Sequence, residues 1–190
     1  MHRLVVFASG RGSNAAAMIA YFKKTGLAEV SLIVSNKADA GVLELAAEEG
    51  IPTLVLDRAG FKDPAFVERL HAETLSLIVL AGFLWKVPDA VVQAFPNRIV
   101  NIHPALLPKH GGKGMWGHHV HEAVLANGDA ESGITVHYVN EHYDEGAVLL
   151  QARCPVLSSD DADVLAARVL RLEHFYFPRV VEYLLANTAV

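Results

Sequence analysis

The sequence predicts an α/β fold: an open, mostly parallel sheet with helices on both faces and an antiparallel part toward the C-terminus. Short apolar runs alternate with helical stretches through the first half of the chain, a pattern that gives a parallel sheet with right-handed crossovers. Leu77-Ile78-Val79-Leu80-Ala81 is apolar without a break, as expected of a strand covered on both faces. The first run ends in Ser9-Gly10-Arg11-Gly12-Ser13, a glycine turn of the kind that leads from strand to helix in Rossmann-like sheets.

Each element follows from local pattern. Arg3 to Ala8 reads as a strand, and Asn14 to about Lys24 as an alanine-rich helix with Asn14 or Ser13 as N-cap. Val30 to Ser35, Thr53 to Leu56, Leu77 to Ala81 and Arg98 to Ile102 are further strands. The intervening helices are Gly41 to Glu49, Pro64 to Thr74 and Pro88 to Phe95, the last with proline near its start. After a glycine-rich loop, His118 to Ala126 is helical, Gly133 to Val139 and Val148 to Val156 are strands with possible antiparallel pairing, and Asp161 to Leu185 is a long helix. There is no internal repeat or low-complexity tract, so residues 1–190 read as one domain.

Composition narrows the classes. With 52% hydrophobic and 19% charged residues, the chain is an ordinary compact soluble protein. Its net charge of -5 argues against a general nucleic-acid binder, which would carry a basic face, but leaves room for small anionic ligands held by local groups. No run reaches the ~20 apolar residues that span a bilayer, and the N-terminus shows no secretion signal. The single cysteine, Cys154, reads as a small packing residue and suits a reducing cytoplasm.

In an open parallel sheet, ligands bind beyond the carboxyl ends of the strands, near a switch in strand order. Three loops leave such ends: Ser9 to Ser13, Gly82 to Val87, and Asn101 to Gly117. In the first, glycines let backbone amides approach a phosphate at a helix N-terminus; the alternative is a tight turn alone. The second strand ends in Ser35-Asn36 without the acid that would hold a ribose, which discounts a nicotinamide cofactor.

Asn101-Ile102-His103-Pro104 is the sharpest signal. Asn101 is the last or next-to-last residue of a strand and His103 the first polar group beyond it, and strand residues two apart share a face. An amide donor beside an imidazole suits oxyanion stabilisation and proton transfer. A carboxylate is needed to orient that histidine, and Asp144, Glu141 and Glu145 are equivalent candidates by pattern. His110, His118 and His121 could present three imidazoles to a metal, but without the cysteine or carboxylate pattern of strong sites they read as the polar lining of a cleft.

Taken together, Ser9 to Asn14, Ser35-Asn36-Lys37, Leu80-Ala81-Gly82-Phe83, Asn101 to Pro108, Gly133-Ile134-Thr135-Val136-His137 and Asp144-Glu145-Gly146 resemble the phosphoribosylglycinamide formyltransferase family of the folate-dependent formyltransferase superfamily. The resemblance covers almost the whole chain and implies the formyltransferase fold. It implies transfer of the formyl group of 10-formyltetrahydrofolate, a co-substrate, to the glycine amine of glycinamide ribonucleotide, without a metal. By resemblance, Asn101, His103 and Asp144 match the catalytic trio, with Asp144 raising the pKa of His103. Gly12, Ser13, Asn14 and Ala15 match the turn that holds the nucleotide phosphate, and Glu173 a position that contacts the glycinamide part. Leu84, Trp85, Lys86, Val87, Asn101, Asn140 and Glu141 match segments around the pterin. The expected partners are these two small molecules, with no nucleic acid or membrane, in a cytoplasmic monomer or homodimer.

Two departures stand out. The loop from His110 to His118 is longer than in many relatives, and Trp85-Lys86 replaces what is often a basic-apolar pair. The resemblance also weighs against a deformylase, which has a histidine where Pro104 stands and usually a further domain, and against a methionyl-tRNA formyltransferase, which needs a C-terminal RNA-binding domain. A non-catalytic nucleotide- or folate-binding module on the same fold is the reading from another class.

Overall fold

The computed structural model describes residues 1–187. Its strands are β1 (His2–Phe7), β2 (Ala28–Ser35), β3 (Thr53–Val55), β4 (Leu77–Leu80), β5 (Ile99–His103), β6 (Glu131–Tyr138) and β7 (Val148–Pro155). The helices are α1 (Ser13–Thr25), α2 (Gly41–Glu48), α3 (Pro64–Ala72), α4 (Asp89–Ala94), α5 (His118–Ala126) and α6 (Ala162–Asn187), with one 3-10 turn at Gly60–Lys62. No helix among the described residues is long and apolar enough to cross a membrane.

The strands form one sheet in the order β3-β2-β1-β4-β5-β6-β7. β1 pairs in parallel with both β2 and β4, and β4 with β5. The order therefore turns back on itself between β1 and β4, where loops leaving neighbouring strands diverge and open a crevice. β5 pairs antiparallel with β6, and β6 with β7, which is the mixed architecture expected from the sequence. Leu77 to Leu80 are all buried, as the unbroken apolar run requires.

Two cores flank the sheet. One joins Met18, Phe22, Val42, Leu165, Val169 and Phe177 from α1, α2 and α6 to the inner strand residues. The other packs Phe61, Phe66, Leu70, Val91 and Phe95 against Phe7, Val34 and Ile78. Cys154 sits in the first core and burial pushes its thiol pKa up, which suits packing rather than reactivity.

Three local expectations need correction. Neither Ser13 nor Asn14 is the N-cap of α1; Gly12 is, at φ 81°, and no side chain caps the helix. A Cβ on Gly12 would stand 2.7 Å from Val42 Cγ2, so α2 packs where a side chain would be. α3 ends at Ala72, before the expected Thr74, which takes a left-handed φ of 48°. β5 runs on to His103, placing the histidine within the strand instead of beyond it.

Candidate active site

The three loops predicted to share an edge do meet. The Ser9 amide donates to the Gly82 carbonyl at 3.1 Å, tying the turn after β1 to the turn after β4. Ser9 Oγ accepts from the Leu84 amide at 2.9 Å and donates to Asn36 Oδ1 at 2.6 Å. The Ser35-Asn36 motif thus has a local purpose: it braces the first loop.

Beside these loops lies a cleft of about 530 Å³, lined by Leu84, Trp85, Lys86 and Val87 and by Asn140, Tyr143 and Asp144. Asn101 and His103, at the end of β5, make its floor, and Asn14 and Glu173 complete the lining. The size is ordinary for a small-molecule site. Gly12, Ser13 and Ala15 stand in the adjoining turn and first helical turn, outside the cleft lining, with Ser13 exposed. Glu141 and Glu145 do not line the cleft, and among the three acids it is Asp144 that does.

The polar floor is built from two strands and two loops. Antiparallel register sets Asn101 opposite His137, and Asn101 Nδ2 lies 3.1 Å from His137 Nε2. His137 Nδ1 donates to the Tyr138 carbonyl at 2.8 Å, which leaves Nε2 free to accept from the amide. His103 Nε2 donates to the His110 carbonyl at 2.7 Å, so its other nitrogen, Nδ1, faces Asp144 Oδ2 across 3.7 Å. Asp144 Oδ1 lies 3.6 Å from His137 Nε2, and Oδ2 accepts the Gly112 amide at 2.9 Å.

Burial dominates the electrostatics. His103 is 4% exposed, and desolvation holds its pKa below the ordinary imidazole value, although Asp144 and the His110 carbonyl pull it upward. The expected rise from Asp144 is therefore present as a contribution but loses to burial. Burial would push Asp144 up, yet His137, His103 and the Gly112 amide outweigh it and the carboxyl sits below its usual value. At neutral pH the floor thus holds a neutral imidazole facing a carboxylate.

Glu173 is buried on α6, where desolvation raises its pKa. Asn14 Nδ2 donates to it at 2.5 Å, and Asn14 Oδ1 is buried without a partner among the described residues. A buried acceptor with no donor costs free energy unless something supplies one. Trp85 lies under the Arg58 guanidinium at 4.5 Å, and Lys86 Nζ turns 2.7 Å from Asp89 Oδ1.

The histidines considered for a metal go to different partners. His110 meets Asp129, His118 meets Glu122 and Asp163, and His121 is buried on α5; among the described residues no three or more His, Cys, Asp or Glu side chains converge as metal ligands. Sequence reasoning assigned no role to His137 and none of this kind to His110 or Asp129. The signal for His137 lies in the antiparallel register of β5 and β6, which places it opposite Asn101 and which no local pattern encodes.

An open α/β sheet with acid-base side chains gathered in a cleft where β5 and β6 meet the loops after β1 and β4 defines an enzyme-like site for a small substrate. The chain belongs to the formyl transferase family, whose pattern matches residues 2–181. It is 42% identical over 188 residues to a chloroplastic phosphoribosylglycinamide formyltransferase of Vigna unguiculata, covering 96% of this chain and 60% of that protein. It is 38% identical to the phosphoribosylglycinamide formyltransferase of Escherichia coli over 95% of this chain and 85% of that one. The glycinamide ribonucleotide transformylase 1 structure from Symbiobacterium toebii superposes with a TM-score of 0.88 at 35% identity, over 100% of this chain and 90% of that one.

Proposed function

We propose that this chain transfers the formyl group of 10-formyltetrahydrofolate to the primary amine of glycinamide ribonucleotide, yielding formylglycinamide ribonucleotide and tetrahydrofolate in purine synthesis. The observation that carries this reading is the meeting of Asn101, His103 and Asp144 on the floor of a cleft beside an uncapped helix N-terminus. Family membership supports it.

Each part of the site has a role in this reading. The nucleotide phosphate sits at the N-terminus of α1, where the free amides around Gly12, Ser13, Asn14 and Ala15 and the helix dipole favour an anion. Asn14 and Glu173 meet the glycinamide part. The folate lies along Leu84, Trp85, Lys86 and Val87 and faces Asn140, with Glu141 beside it outside the lining; the apolar walls and the cleft volume fit a flat heterocycle.

The amine attacks the formyl carbon, and the carbonyl π electrons move onto oxygen. Asn101 donates to that oxyanion and His103 stabilises it through the charge of the imidazolium, whose two N–H groups face the His110 carbonyl and Asp144. The amine then gives up a proton and folate N10 takes one, through the Asp144–His103 pair and water, as the bond between N10 and the formyl carbon breaks. No step needs a metal. We further read residues 1–190 as one domain, cytoplasmic, active as monomer or homodimer, with no nucleic-acid or membrane partner.

Assay of the purified protein with 10-formyltetrahydrofolate, with and without glycinamide ribonucleotide, tests the reaction. Consumption of the folate that needs the nucleotide and yields its formylated product is expected. Folate consumption that ignores the nucleotide would reassign the chain as a hydrolase.

A further inference from the structure

A second polar cluster lies behind the floor and has no part in the reaction above. Asp129, just after α5, accepts from His110 Nε2 at 2.6 Å, from Lys109 Nζ at 3.0 Å and from Asn127 Nδ2 at 2.9 Å. His110, first among these partners, and Lys109 draw the Asp129 pKa down to about 2. Its charge is therefore present throughout the working pH range. The side chains of His110 and Asp129 are 13% and 11% exposed, so the contact is largely sheltered.

The backbone at His110 is the second observation. Its φ is 54°, a left-handed conformation uncommon for non-glycine residues, though more frequent for histidine than for most. With the imidazole held on Asp129, the carbonyl of the same residue points back into the site and accepts His103 Nε2–H at 2.7 Å. One residue therefore joins a fixed carboxylate to the central histidine, by its side chain on one side and its backbone on the other.

We infer that His110 and Asp129 are positioning residues: Asp129 anchors the His110 side chain, and the turn so held presents the carbonyl that keeps His103 in the Nε2–H tautomer with Nδ1 toward Asp144. The inference rests on the proposed reaction for its consequence but not for its geometry. Because Nε2–H is committed to the loop, the proton that His103 gains or yields is the one at Nδ1, where Asp144 stands at 3.7 Å. Without the clamp, the imidazole is free to flip or exchange tautomers, and the proton path is lost for part of the time.

Ring-nitrogen NMR of the ¹⁵N-labelled, ligand-free protein tests this, with His103 assigned by its loss in His103→Gln. Wild type should show one protonated and one unprotonated ring nitrogen at His103. His110→Ala should bring both shifts toward an average, lower kcat about tenfold or more and leave both KM values nearly unchanged. His110→Gln, whose amide reaches Asp129, should restore the single tautomer and most of kcat. Asp129→Asn provides the same test of the anchor if His110→Ala does not fold. A single Nε2–H tautomer persisting in both His110→Ala and Asp129→Asn overturns the inference. Wild type that transfers no formyl group would strike the proposed reaction alone, since the NMR signature needs no substrate.

Discussion

His103 Nδ1 and Asp144 Oδ2 face each other at 3.7 Å, too far apart for a hydrogen bond, while the opposite ring nitrogen donates to a loop carbonyl. The pair is thus poised rather than closed. Burial favours the neutral imidazole, and Asp144 is the group that makes protonation accessible when negative charge develops nearby.

Removing that carboxylate should therefore act through the histidine. Asp144→Asn keeps an oxygen for the Gly112 amide but loses the charge, so the His103 pKa should fall further below the ordinary value. We expect kcat to drop by about 10²–10⁴ with little change in nucleotide or folate affinity. An NMR titration in which His103 moves upward in Asp144→Asn would contradict this, as would unimpaired turnover.

Gly146 should be intolerant of any side chain. A Cβ there would lie 1.7 Å from the Tyr138 carbonyl oxygen, the same atom that accepts His137 Nδ1–H. Gly146→Ala should push the loop carrying Asp144 off the end of β6 and loosen His137. We expect a loss of roughly 1–3 kcal/mol in stability, read by urea unfolding, and a matching fall in kcat; an unchanged midpoint would show that the strands relax freely.

Within the cleft, Glu173→Ala leaves the Asn14 amide without its acceptor. The KM for glycinamide ribonucleotide should rise about tenfold or more while that for the folate changes little. Glu173→Gln, which can still accept from Asn14, should fall between the two. Equal effects on both KM values would point to a general disturbance of the cleft.

Stability should weaken as pH falls from 6.5 toward 4. His121 is buried and desolvation lowers its pKa to about 4; the unfolded chain binds the proton first, so its contribution is complete above the unfolded value near 6.5 and is lost as pH drops through the folded one. The loss reaches roughly 3 kcal/mol for that shift. His103 and His174, also lowered by burial, act in the same direction. Urea midpoints compared at pH 7.5 and 4.5 should show a smaller difference in His121→Leu than in wild type.

Periodicity and composition in the sequence determined the sheet, its helical layers and the edge on which the loops emerge. Unbroken apolar runs such as Leu77 to Leu80 and the alternation of strand and helix report burial directly, because each residue's surroundings repeat along its own segment. Asn101 and His103 were legible for the same reason, being neighbours on one strand face. Only the tertiary structure decided which acid meets His103, that His137 stands against Asn101, and that Asp129 reaches the floor through His110. These pairings join residues distant along the chain, or reverse direction at a left-handed turn, and no local pattern encodes a register between two strands. The balance of pKa values belongs to the same class: Asp144 is near enough to raise His103, but only the depth of burial determines that desolvation prevails.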